Sequence, residues 1–516
     1  MEDQFSYDQL PYPSKFFVQS FPDRLATQAT LFGMEPAHPG TCRLLELGCG
    51  NGSNLIAQAY LMPEATFVGV DLAKGHIDDA IAAAEKLELK NVEFRQMDVT
   101  EMSASDFGAL DYITAHGLFS WVPDFVRTRV LELCRELLNE NGVGYVSYSA
   151  YPGAHQREMV QRAMRFAAEG IADPIEKVRK AMSFLQFLAE NTPDRGTYQT
   201  ALRHELLRHA EHDAADIFHD DLSELNRPFY FHEFAELLAS HGLQYLAEAE
   251  LHAMGSHGLT KDAQSFIDAT EDVIEREQML DLVRGRQFRQ TLFCRSEIAL
   301  DRKPKPENID RFLVASSLTP RNKGADLSSK NVEKFVGATN IGIELDQPLI
   351  KAMLAELGSV WGRAVAFAEL VDRGKERLGE STFSAAEWEQ QVQIARLVLM
   401  QITMASSMAE LHLYQPAGTT LLSDKPLVNR LARWQMQNTG HIATTLGQDM
   451  KIDDPVSRRL LELLDGTHDG ASLERNMAGF IRTAEGVEDR AGLLKTLPEW
   501  IDESLSSLAR IGVFEA

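Results

Sequence analysis

Three glycines at alternate positions, Gly48, Gly50 and Gly52 in Glu46-Leu-Gly-Cys-Gly-Asn-Gly52, stand directly between an apolar run and a helical one. Glycine turns the chain tightly and lets a ligand approach the main chain with no Cβ atoms in the way. A turn of this kind belongs at the carboxyl edge of a parallel sheet. The flanking residues continue the pattern. Candidate strands at Arg43–Leu47, Thr66–Asp71, Val92–Met97, Asp111–Ala115 and Val143–Ser149 alternate with helical segments at Asn54–Leu61, Lys74–Leu87 and Phe125–Leu138. This predicts an α/β fold with helices on both faces of the sheet. Asn139–Gly142 is read as a polar turn before the fifth strand.

After Ser149 the rhythm breaks, and helical patterns such as Pro174–Leu188 fill the stretch to Asn226. It resumes with a helix at Phe229–Ser240, a strand at Leu243–Ala249, a helix at Glu271–Leu282 and a strand at Arg289–Ser296. The two late strands are expected to join the first sheet, making Tyr151–Asn226 a helical insertion beside its carboxyl edge. Arg302-Lys-Pro-Lys-Pro306 reads as a stiff, exposed linker. Beyond it, Pro348–Trp361, Ser384–His412, Pro455–Leu464 and Pro498–Ile511 read as helices, with short strands at Asn340–Leu345 and Gly440–Leu446. The expected division is a cover segment at 1–39, a catalytic core at 40–150 and 227–300, the insertion at 151–226 as a regulatory or substrate domain, and two mixed C-terminal domains, winged-helix-like, at 307–425 and 426–516.

Acidic residues indicate the ligand of the glycine loop. Asp71 ends the second strand about 20 residues past the loop, where a carboxylate grips a ribose diol. Asp98 ends the third strand, placed to accept from an adenine amino group. Glu46 ends the first strand and can accept from a cationic amine. A dinucleotide loop is spaced G-x-G-x-x-G, whereas here the third glycine comes one residue early. The set describes an adenosine with an amino-acid tail.

This layout resembles the class I S-adenosylmethionine-dependent methyltransferases, with a Rossmann-like sheet. Tyr12-Pro-Ser, His116-Gly-Leu-Phe-Ser-Trp-Val-Pro, Ser147-Tyr-Ser-Ala-Tyr-Pro-Gly153 and Asn226-Arg-Pro-Phe-Tyr-Phe-His-Glu-Phe234 narrow it further. They are similar to bacterial enzymes carrying a methyltransferase regulatory domain, among them rickettsial enzymes that methylate lysines of outer-membrane proteins. The resemblance implies S-adenosyl-L-methionine as cofactor, held by Glu46, Gly48, Gly50, Gly52, Asp71 with Leu72, Asp98 with Val99, and His116. It implies protein lysine as acceptor but carries over no catalytic base; the need to deprotonate a lysine and hold a cation makes His116, Trp121, Tyr148 and Tyr151 the candidate catalytic residues, with Tyr7 and Tyr12 as further aromatic candidates. A small-molecule methyltransferase and a non-catalytic cofactor sensor or scaffold are the rival readings. The Asn/Asp-Pro-Pro-aromatic tetrad of enzymes that methylate amino groups of bases is absent after the fourth strand.

Composition bears on partners. A formal charge of −25 over 516 residues leaves no basic footprint for nucleic acid and suits a basic protein segment. No apolar run of about 20 residues is present for a membrane span. The four cysteines form no CxxC pair, so neither a disulfide framework nor a zinc knuckle is expected, and the cytoplasm fits. A homodimer is a further expectation. His204 and His209 stand five apart, too far round a helix to share a metal; they and His212 are read as solvated helix residues. His219-Asp-Asp221 is read as a helix-cap cluster.

Overall fold

The structure, a computed structural model, describes residues 10, 12, 15–193, 196–210, 212–322, 324–337, 342–379, 382–417 and 422–515. Its centre is a seven-stranded sheet built from β1 (Arg43–Leu47), β2 (Thr66–Asp71), β3 (Val92–Gln96), β4 (Leu110–Ala115), β5 (Leu138–Ser149), β6 (Leu243–Glu248) and β7 (Phe288–Arg295). The strand order is β3-β2-β1-β4-β5-β7-β6. Strands β1 to β5 run parallel, and β7 lies antiparallel between β5 and β6. Both late strands therefore join the first sheet, as expected.

Side-chain alternation supplies two cores. Leu44, Phe67, Tyr112 and Tyr145 face one side of the sheet. Leu45, Val70, Ile113 and Val146 face the other, against Val130, Leu131 and Cys134 of the helix Asp124–Leu137. The first core continues through α1 (Pro22–Leu31) and on to Phe312, Val314, Leu349, Met353 and Leu399. The region after the linker thus shares one apolar core with the sheet. Residues 424–515 build their own around Leu460, Met477, Ile481 and Leu505.

Four local expectations need correction. The turn expected at Asn139–Gly142 is absorbed into β5, whose pairing with β4 shifts register there. Ser384–His412 is not one helix: it ends at Ala405, and Ala409–His412 is a strand paired with Leu313–Ser316. Ser406, in extended conformation, makes the break. The linker is not free-standing, because the Arg302 guanidinium donates to the carbonyls of Tyr245 and Leu246 at the sheet edge. His209 is not solvated: it is 2% exposed and bonded to Asp221 at 3.0 Å. The expected strand at Asn340–Leu345 is seen as Gly342–Leu345; Asn340 and Ile341 lie outside the described residues.

The insertion leaves the sheet at the carboxyl end of β5 as the helices Ala154–Ala167, Pro174–Asn191 and Thr197–His209, followed by a wide single turn at Ile217–Asp221. Val160, Met164, Leu185 and Leu202 give it a separate small core. Asp221 locks it: Arg157, Gln161 and Arg208 all donate to this carboxylate. Burial opposes its ionisation, but His209 and the two arginines hold its carboxyl well below the usual range. Asp221 is thus an interior anchor, with no place in a cap.

Candidate active site

The glycine loop is fixed from both ends. Gly48 and Cys49 donate their N–H groups to the Val70 carbonyl at 2.9 and 3.0 Å, and Gly50 donates to Asp71 Oδ2 at 2.9 Å. Gly48, Gly50 and Gly52 have φ of 72°, 53° and 75°. They differ in what surrounds them. A Cβ on Gly52 would lie 2.6 Å from the Phe94 ring, so this glycine seats the helix Ser53–Leu61 on the sheet. A Cβ on Gly50 would meet nothing within 4 Å, so this is where the backbone faces open space.

Asp71 reaches back to that loop, and its other oxygen accepts from Ala73 N–H at 2.9 Å. Leu72 beside it is 41% exposed, an apolar surface next to the carboxylate. Asp98 caps the short turn Val99–Glu101, where one oxygen accepts from both the N–H and the hydroxyl of Thr100. Val99 packs partly buried against the second core. Glu46 is 3% exposed; Oε1 accepts from Asn54 Nδ2 at 2.7 Å, whereas buried Oε2 has no partner among the described residues. Burial raises the Glu46 carboxyl to about 8, against the lowering effect of Asn54. A buried acceptor left open on this side chain is what a ligand ammonium would complete.

Past β4, His116 Nδ1 lies 2.7 Å from the Tyr145 hydroxyl, and its ring stacks on Phe17 at 3.7 Å between centroids. Burial, with Lys15 nearby, lowers its pKa to about 3. Such a ring stays neutral and takes no proton from an ammonium group. Trp121 ends the turn Phe119–Trp121, half-buried, with its indole N–H enclosed and without a partner among the described residues. Tyr148 departs from expectation. It is 0% exposed and stacks on Phe234 at 4.2 Å inside the second core, because the alternation of β5 turns it away from the edge. It can touch no substrate. Tyr151, just beyond β5, donates to Glu158, stacks on His155 at 4.0 Å and lies 5.1 Å from the Tyr230 ring. Burial and the Glu158 charge push its hydroxyl up to about 12. Tyr7 lies outside the described residues.

Three families match successive parts of the chain: a methyltransferase domain at 39–198, the predicted methyltransferase regulatory domain at 213–295, and the PKMT C-terminal winged helix domain at 424–513. An uncharacterized protein of Rickettsia prowazekii is 28% identical over 513 residues, 98% of this chain and 91% of its own length. A second from that organism is 32% identical over 235 residues, 45% of this chain and 94% of its own. The solved structure of PKMT2 from Rickettsia typhi, known also in complex with AdoHcy, superposes with a TM-score of 0.85 at 26% identity, covering 98% of this chain and all of that one. The chain is a class I methyltransferase. S-adenosylmethionine is its methyl donor, and rickettsial proteins, PKMT2 of Rickettsia typhi among them, are similar to it over nearly its whole length.

The methyltransferase carries site residues that sequence reasoning missed. Asn54 bonds Glu46, accepts from Phe17 N–H at 3.0 Å and donates to Ser20 Oγ at 3.0 Å. It thereby ties the glycine loop to the segment before α1. That segment also reaches the insertion, through Lys15 to Asp216 at 2.8 Å and Tyr12 to Asp220 at 3.4 Å. Residues 15–20 hence strap the methyltransferase's loop to its insertion. The available signal was a polar residue, Asn54, in the first turn of a mostly apolar helix two places after Gly52.

Proposed function

We propose that this methyltransferase modifies lysine side chains of proteins. The observation that carries the reading is the extent of the likeness to PKMT2: it spans the insertion and both C-terminal regions as well as the sheet. Of those accessory parts, the insertion leaves the sheet at the carboxyl end of β5, the edge where an acceptor would enter. The cofactor supplies an electrophilic methyl group, and the chain's own work is alignment and desolvation.

In this proposal Glu46 Oε2 receives the amino group of the cofactor's amino-acid tail, Asp71 the ribose hydroxyls and Asp98 the adenine amine. Gly50 lets the main chain approach, and Leu72 and Val99 flank the base. Trp121 stands on the acceptor side, its enclosed indole N–H without a partner among the described residues, with Tyr151 and Tyr12 at the rim. A consequence concerns protons. With its carboxyl raised to about 8, Glu46 is mostly protonated at neutral pH and must ionise to pair with an ammonium group. Binding therefore releases close to one proton near pH 7, and affinity rises with pH up to about 8. Calorimetry of S-adenosylhomocysteine binding in buffers of different ionisation enthalpy measures this. No proton release, or the same release from Glu46→Gln, would remove Glu46 from that role.

Lysine must arrive neutral, and His116, Tyr148 and Tyr151 are unsuited as bases on the grounds above. Desolvation and bulk pH then supply the free amine, whose unperturbed pKa is about 10.4. Turnover is expected to climb with pH across the neutral to alkaline range. The test is a panel of protein substrates with lysines replaced by arginine, read by mass spectrometry. Methylation that persists without lysine, or appears only on small metabolites, overturns the acceptor and leaves the cofactor assignment standing.

A further inference from the structure

A cavity of about 330 Å³ lies away from the glycine loop, enclosed by α1, the turn after β6, the strand Ala409–His412 and the hairpin strand Asp449–Lys451. Arg24, Thr27 and Gln28, at i, i+3 and i+4 of α1, present one helix face to it. Three carboxylates border it: Glu250, Glu410 and Asp449. Arg24 pairs with Glu410 at 3.2 Å, while among the described residues Glu250 and Asp449 have ion-pair contacts within 4 Å only with His252 at 3.4 Å and His441 at 2.7 Å, Lys15 acting on Asp449 from farther away. Three carboxylates against one guanidinium leave the walls two charges negative while those histidines are neutral.

A second observation is independent of the charge. Thr27 and Gln28 are each 2% exposed, yet Thr27 Oγ1 and Gln28 Oε1 have no partner among the described residues. Gln28 Nε2 donates to the Ala249 carbonyl at 3.0 Å, which fixes the amide with its oxygen buried and unpaired among the described residues. Buried acceptors of this kind are costly unless a donor reaches them. Val18 and Leu251 add apolar wall, suited to a methylene stem. The volume sits at the small end of the roughly 300–1,000 Å³ typical of ligand pockets, room for a group the size of an amino acid. The His252 side chain, 40% exposed, and exposed Ser407 mark its mouth.

We infer that this cavity binds an organic cation, an alkyl guanidinium or primary ammonium group, carried either by a basic side chain of a polypeptide or by a small free amine. The site is separate from methyl transfer and stands whichever acceptor the enzyme uses. It also touches the strap: Val18 lines it, and Gln19 donates to Glu250 at 3.0 Å. An occupant therefore bears on the segment whose neighbours Phe17 and Ser20 hold His116 and Asn54.

The test is calorimetric titration of the full chain, saturated with S-adenosylhomocysteine, with two probes: agmatine and a short end-capped peptide bearing one arginine. Saturable binding of agmatine is expected, weakened about tenfold by Glu250→Gln and by Thr27→Val. Thr27→Val removes a hydroxyl with no partner, so its thermal stability should equal or exceed that of the wild type, and both variants should bind S-adenosylhomocysteine normally. Peptide binding with the same sensitivity identifies a polypeptide side chain as the source, and agmatine binding alone identifies a free amine. Failure of both probes to saturate, or unchanged affinity in both variants, overturns the site.

Discussion

Replacing Asp71 with alanine is expected to weaken S-adenosylhomocysteine binding at least ~100-fold, since each charge-assisted hydrogen bond is worth about 1.5–3 kcal/mol. The loss has two parts. The proposed ribose grip disappears, and so do the two bonds through which the carboxylate holds Gly50 N–H and Ala73 N–H, both at 2.9 Å. The loop then costs entropy to order when ligand arrives. Asp71→Asn should fall between, because its amide oxygen keeps one acceptor. Asp98→Ala should cost about tenfold, since the adenine retains its apolar contacts. Calorimetry decides, and an Asp71→Ala affinity within about threefold of wild type would remove the residue from the site.

The largest stability effect is expected at Arg289. Its side chain is fully buried among Glu248, Glu277 and Asp281, also buried, with Asp281 at 2.8 and 2.9 Å and Glu277 at 3.1 Å. The guanidinium carbon lies 3.9 Å from the centre of the Phe231 ring. One cation thus joins β6, β7 and the helix Val273–Arg284, holding the late strands in the sheet. Arg289→Met leaves buried Glu248 and Glu277 without their paired cation, while Asp281 keeps Arg286 at 2.7 Å, and breaking such a buried pair costs about 3–5 kcal/mol. The pH dependence has a definite sign. Burial already raises Glu277 to about 7, and losing the cation raises the cluster further. The folded variant then holds protons that the unfolded chain has released above the usual carboxylate range, so its deficit grows as pH rises. Thermal or denaturant unfolding near pH 5.5 and pH 8 checks this; an equal deficit at both would contradict it.

These two residues also mark how far the sequence could be read. Asp71 was legible because its role needs only a strand end and a fixed distance from the glycine loop, both local properties. The strands of the sheet were legible for the same reason, their apolar runs being bounded by turns. Arg289 was not. It sits in a strand that reads as ordinary, and its partners come from 41, 12 and 8 residues away. Tyr148 failed differently: its position at the carboxyl edge was right, but the direction of its side chain depends on a register that only neighbouring strands set. The strap was illegible because aromatic residues before α1 show nothing of the histidine they will cover. The C-terminal region blurred because its strands are short, and one, Ala409–His412, follows a helix after only three residues.

Helix α1 carries a burden of timing. Nine of its ten residues are buried. Its Asp23 accepts from the N–H groups of Leu413 and Tyr414 at 2.7 Å and pairs with His412 at 2.8 Å. Those partners lie 389–391 residues downstream. On a ribosome working at about 5–20 residues per second they emerge on the order of tens of seconds after α1 does. During that interval the helix that steadies the strap has half of its seat missing. The nascent sheet can pair β1 to β5 early, while the strap over the glycine loop is secured only after residues 412–414 have emerged. A truncated or stalled chain would expose a sticky helix beside an unfinished catalytic cleft, a species suited to chaperones and proteases.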